Sequence, residues 1–216
     1  MTKELNKLAI GGKMRPVHFG FATLSDWCDM CNMTLNDISK LGADMPISTA
    51  ISMVFCALKH GARKSKVAFK YTTDDIADWL DDDQNALVET MELFTKSMSK
   101  GKEEKKEKGE IAAPQTFDSL LEIALGKLNM HEDDFWDMTP KSFQLKCDGF
   151  FSLIDQQQRQ EWERMRFQTV CLINSQRKRS QQISLQKLIK FDWEKKESQK
   201  NERDKIDYII HKSQNK

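Results

Sequence analysis

Eleven consecutive residues, Lys100 to Glu110, carry no apolar side chain, and this run constrains the chain more than any other stretch. Lys and Glu are mixed within it and Gly101 and Gly109 bracket it, so it has nothing to bury and reads as a solvated tether. Apolar-rich sequence flanks it on both sides. On sequence the chain therefore divides into residues 1–98, a charged linker at 99–115, a C-terminal part at 116–193 and a charged tail at 194–216.

Apolar spacing makes both parts mainly α-helical, two small helical domains with room for one short β-strand near the N-terminus, at Val17–Phe21. Residues 1–13 read as disordered or as a loose strand ending in a Gly11-Gly12 turn. A helix is predicted from Leu24, capped by Thr23 or Ser25, and a short one from Thr34 to Leu41, stopped by Gly42. Asp44-Met45-Pro46 opens a core helix that buries Ile47, Ala50, Ile51, Val54, Phe55 and Leu58 and stops at Gly61. Thr72 and Thr73 introduce another over Ile76 and Leu80, followed by one at 85–98. Asp81-Asp82-Asp83 lacks the alternating ligands and the Gly of a calcium loop, so it reads as a helix end and the next cap. Beyond the linker, Pro114 and Thr116 begin a helix, His131 caps a short turn, and Thr139 with Pro140 opens a long helix in which Gly149 permits a bend. Ile183, Leu185, Leu188 and Ile189 form a short apolar anchor near the end.

Charge is uneven although the total is only +1. Residues 159–216 hold fifteen Lys and Arg against eight Asp and Glu, whereas residues 111–158 hold three against eight. The basic end thus has an acidic counterpart within the chain. A helical DNA-binding regulator using that basic segment is the alternative reading, weakened because residues 47–58 carry no charge where a recognition helix would be polar. No apolar run approaches the ~20 residues of a membrane span, and the first residues lack a continuous apolar signal region, so a cytosolic protein is expected.

Five cysteines, an odd number, suggest free thiols in a reducing compartment. Trp27-Cys28-Asp29-Met30-Cys31 is a Cys-x-x-Cys run, and Cys56 with His60 at i, i+4 would complete a four-ligand zinc set. No second Cys-x-x-Cys accompanies it, and the chain downstream lacks the βαβ context of a redox site, which leaves buried thiols on amphipathic helices as the plainest reading. The sequence has no nucleophile elbow, no His and acid at a recognisable spacing and no phosphate-cradling loop. Neither an enzyme nor a cofactor is expected.

Phe135-Trp136-x-Met138-Thr139-Pro140-x-x-Phe143, then Gly149, Gln160-Glu161-Trp162-Glu163-Arg164, Asn174 and Leu185-x-Lys187-Leu188-Ile189, in that order, resemble the C-terminal part of tail assembly chaperones of long-tailed bacteriophages. Phe19-Gly20-Phe21, Met33-x-Leu35-x-Asp37, Val54-Phe55 and Tyr71-x-x-Asp74-Asp75-Ile76-Ala77-Asp78-Trp79 are similar to the shorter protein of that family, so the resemblance spans about residues 15–193. It implies a non-catalytic protein of the host cytoplasm, absent from the mature virion, with residues 1–98 binding the tape measure protein and residues 116–193 recruiting tail tube subunits. It also implies a ribosomal frameshift junction within 99–115, and self-association is compatible with it. Trp136, Met138, Pro140, Phe143 and Trp162 are the residues expected to shape the partner-binding surface of the second part.

Overall fold

This computed structural model describes residues 5–41, 45–98 and 116–194; the charged linker, the Gly42 stop, Asp44, Pro114 and the charged tail beyond Glu194 lie outside the described residues. Contacts divide the chain into two units, Met1–Phe150 and Phe151–Lys216.

The first unit begins with a hairpin. Strands β1 (Asn6–Ile10) and β2 (Lys13–Val17) pair antiparallel, with Ile10 opposite Lys13 across a two-residue turn. Gly11 and Gly12 both have positive φ, +58° and +68°, the demand a type I′ turn makes and glycine meets without steric cost. The Gly11-Gly12 turn and a strand within residues 1–13 are as expected, whereas the strand placed at Val17–Phe21 lies instead at Lys13–Val17 and pairs with β1. Only Leu8, Ile10 and Val17 of the hairpin are buried, too brief an alternation to read without the pairing. Phe21, expected at a strand end, instead starts helix α1 (Phe21–Cys31), three residues before Leu24, with Gly20 as cap.

Four expected caps are in place. Thr34 opens α2 (Leu35–Ile38) and Thr72 opens α4 (Thr73–Asp82), each in a reciprocal box with an Asp three residues on. The Asp83 carboxylate accepts from Asn85 N–H at the start of α5 (Gln84–Ser97), and Thr116 caps α6 (Phe117–Glu122). Between α2 and α4, helix α3 (Ile47–Lys64) has Pro46 at the cap rather than in the first turn, and it runs straight through Gly61. That glycine was expected to stop the helix. Its role is contact: a Cβ at Gly61 would strike the Pro16 carbonyl of β2, and glycine alone lets α3 lie this close to the hairpin.

After α6 the chain makes a π-turn at Ile123–Lys127, then forms α7 (Glu132–Asp137) and enters α8 (Pro140–Ser175) behind Thr139, whose hydroxyl accepts from Ser142 N–H. Helix α8 is continuous through Gly149, where a bend had been allowed. The core of this unit joins β1, β2, α1, α3 and α4 with side chains from beyond the linker, Ala124, Met130, Phe135 and Phe143 among them. Residues 116–150 therefore belong to the same compact unit as residues 5–98, and the contacts divide after Phe150 rather than at the charged run on which the sequence divides.

In the second unit the chain folds back along α8. The Asn174 side chain pairs with both main-chain groups of Ile183, donating to its carbonyl and accepting from its N–H, each at 2.9 Å. Helix α9 (Leu185–Leu188) follows, and the buried Arg166 donates to the Ile189 carbonyl and to Glu194 while its guanidinium lies 4.6 Å from the Phe191 ring.

Candidate functional site

Two surfaces carry chemistry, one in each unit. In the first, α7 is fixed to the N-terminal body by a cluster of polar groups around an aromatic insertion. Phe135 is 0% exposed and stacks on Phe21 at 4.5 Å, with Phe143 edge-on to both at 5.5 Å. Phe21 N–H donates to the Met138 carbonyl at 3.0 Å, closing the first turn of α1 with a group from another part of the chain. His18 Nε2–H donates to the Asp137 carbonyl at 2.9 Å, and Lys64 Nζ reaches the same oxygen at 3.0 Å. Arg63 pairs with the Asp137 carboxylate at 2.9 Å, and Lys64 lies 3.7 Å from it.

Beside this clamp lies an open cleft of about 790 Å³, walled by the last turns of α3 and by Trp136 and Asp137. Asp26 accepts from both Lys59 (2.7 Å) and His60 (2.9 Å) at its edge. Burial alone would raise the Asp26 pKa, but these two donors hold it below the usual carboxylate value. His60 is pushed the other way, chiefly by burial, so the Asp26 contact does not make it a cation at neutral pH. His18 is lowered to about 4 by burial and by the Lys64 charge. Both imidazoles are therefore neutral, and each uses Nε2 as a donor.

The thiols follow the same physics. Burial raises Cys28 to about 11 and Cys56 to about 12, so both are neutral thiols near pH 7. Cys56 Sγ lies against Met30 Sδ at 3.4 Å, and His60 Nε2 is taken by Asp26. Among the described residues no group of three or more His, Cys, Asp or Glu side chains is placed to hold a metal ion.

No protein-family model, no curated protein and no solved structure matches this chain.

The second surface is on α8 within the second unit. Trp162, Met165 and Leu172 are 52%, 56% and 70% exposed. At 100° per residue they fall within an arc of about 80° on one side of the helix. The adjoining side carries the contacts to the returning chain, Arg159 near Trp193, Arg166 on Phe191 and Glu194, Asn174 on Ile183, and at the border of the two sides the Trp162 ring lies 6.5 Å from Phe191. Two cations of the basic C-terminal segment are paired, Arg166 with Glu194 of the returning chain and Arg159 with Asp155 one turn back on α8, both at 2.8 Å. That reduces the positive field a nucleic acid would meet.

The five residues singled out from sequence separate into two places. Trp136, Met138, Pro140 and Phe143 gather at the α7–α8 junction, where Phe143 is buried and the other three are half-buried. Trp162 stands in the second unit. Sequence reading missed His18, Arg63, Lys64 and Asp137 as one cluster. Arg63 and Asp137 are 74 residues apart, and no local spacing signals such a pair.

Proposed function

We propose that this chain is a non-catalytic tail assembly chaperone that binds an apolar helical partner, the tape measure protein, and recruits tail tube subunits in the host cytoplasm. The exposed Trp162, Met165 and Leu172 face of α8 carries the reading, because three large apolar side chains on one helix side leave a surface that a partner would bury. Burying what is still exposed of the three, between half and about two thirds of each side chain, would contribute roughly 1–2 kcal/mol each before the costs of association. In this reading the face belongs to the tube-recruiting part of the chain, and residues 1–98 hold the tape measure. The motif order that resembles phage tail chaperones supplies the partners' identity, and the α8 face supplies the contact.

Co-expression tests it. Full-length chain should keep the tape measure protein of the same phage soluble and co-purify with tube protein. A chain with Trp162→Ala, Met165→Ala and Leu172→Ala should keep an unchanged circular dichroism spectrum and still hold the tape measure, yet lose the tube protein. Retention of tube protein by the triple variant rejects the α8 assignment, and failure of the wild-type chain to solubilise the tape measure rejects the function.

A further inference from the structure

We propose that residues 116–150 also dock on the 5–98 body of a second copy of this chain, exchanging places with that copy's own segment. The segment is a self-contained block. Met130 N–H donates to the Ala124 carbonyl at 3.0 Å, Phe117 packs near Trp136 at 6.0 Å, and Phe135 meets Phe143 at 5.5 Å, all within the block itself. It meets the body through Phe21, on which Phe135 stacks while Phe143 and Phe117 lie edge-on, through Ala124 and Met130 in the shared core, through the Met138 and Asp137 carbonyls, and through Asp137 on Arg63 and Lys64. Seventeen residues stand between Met98 and Thr116, and Lys100–Glu110 among them offer no apolar side chain to anchor the block to its own body.

Every copy presents the same complementary face, so docking between copies needs no contact that is not already made within one. Seventeen residues reach at most about 60 Å when fully extended. One molecule in a sphere of that radius corresponds to about 2 mM, which sets the concentration at which the second copy competes with the first. Dilute chains close on themselves, and chains held side by side exchange. This inference is independent of the partner proposed above.

Two full-length variants, Arg63→Asp and Asp137→Arg, test it. Each alone sets like charges against each other in its own clamp and weakens its own docking by about tenfold, a modest figure because both side chains are partly exposed. In a mixture, docking between the two variants places opposite charges at both interfaces. Pairing should therefore strengthen about 100-fold, to a dissociation constant near 20 µM. At about 100 µM, after joint refolding, light scattering should report a heterodimer in the mixture only, while a single chain carrying both substitutions stays monomeric. Monomers in the mixture, or equal self-association of each variant alone, overturn the proposal. Should either variant fail to fold, small-angle scattering of the wild-type chain at about 2 mM decides: about half of it paired upholds the exchange, and a pure monomer rejects it.

Discussion

Replacing Phe135 by Ala tests whether the segment beyond the charged run is part of the N-terminal fold or a separate body. Phe135 has no exposed surface and touches three rings, Phe21 at 4.5 Å, Trp136 at 5.1 Å and Phe143 at 5.5 Å. Truncating such a ring costs about 3–5 kcal/mol through lost transfer energy and the cavity left behind. Against a typical domain stability of about 5–15 kcal/mol that is a large fraction. At about 3–4 °C per kcal/mol for a unit of this size, the unfolding temperature should fall by roughly 10–20 °C. Hydrogen exchange read by mass spectrometry locates the effect. If residues 116–150 and 5–98 form one cooperative unit, protection falls together in α1, α3 and α7. Loss of protection confined to 117–137, with α1 and α3 unchanged, would refute the argument and restore the division at the charged linker.

Acid should weaken the first unit as soon as pH falls below about 6.5. His18 is held near 4 in the folded chain against about 6.5 unfolded, so the unfolded state binds the proton first. Stability from this group is complete above pH 6.5, falls by about 3 kcal/mol as pH drops toward 4, and is flat below; His60 is shifted in the same direction and steepens the fall. His18→Gln, which keeps a donor for the Asp137 carbonyl, should flatten urea midpoints between pH 4 and 6.5 by about one proton, and an unaltered slope would show the assignment to be mistaken. Gly61→Ala is the second case. Helix propensity alone favours alanine by about 1 kcal/mol, but the added Cβ meets the Pro16 carbonyl, so a net loss of about 2 kcal/mol is expected in urea denaturation. A stabilised variant would mean that α3 and β2 separate readily.

What the sequence displayed were features written within four residues of one another. Thr34 with Asp37, Thr72 with Asp75, Asp83, and Thr139 with Pro140 each act on a neighbouring turn, and each was readable because cap and helix share one short window. Gly61 was misread because its neighbour is Pro16, 45 residues away, and a glycine that stops a helix looks the same in sequence as one that lets a strand approach. The Gly11-Gly12 turn was readable, but the pairing across it was not, because Leu8, Ile10 and Val17 alone do not declare one. The charged run misplaced the division for a related reason: composition reports what a stretch cannot bury and is silent about which segments on either side pack together. Of the candidate site, Trp136, Met138, Pro140 and Phe143 were found as a group because they lie within eight residues, whereas His18 and Asp137, 119 residues apart, were not.

That separation has a consequence in time. A ribosome adds about 5–20 residues per second, so Asp137 follows His18 by roughly 6–24 seconds. Through that interval the first turn of α1 has its Phe21 ring uncovered and its leading N–H without the Met138 carbonyl that later receives it. The face is open on the nascent chain to whichever apolar segment arrives first.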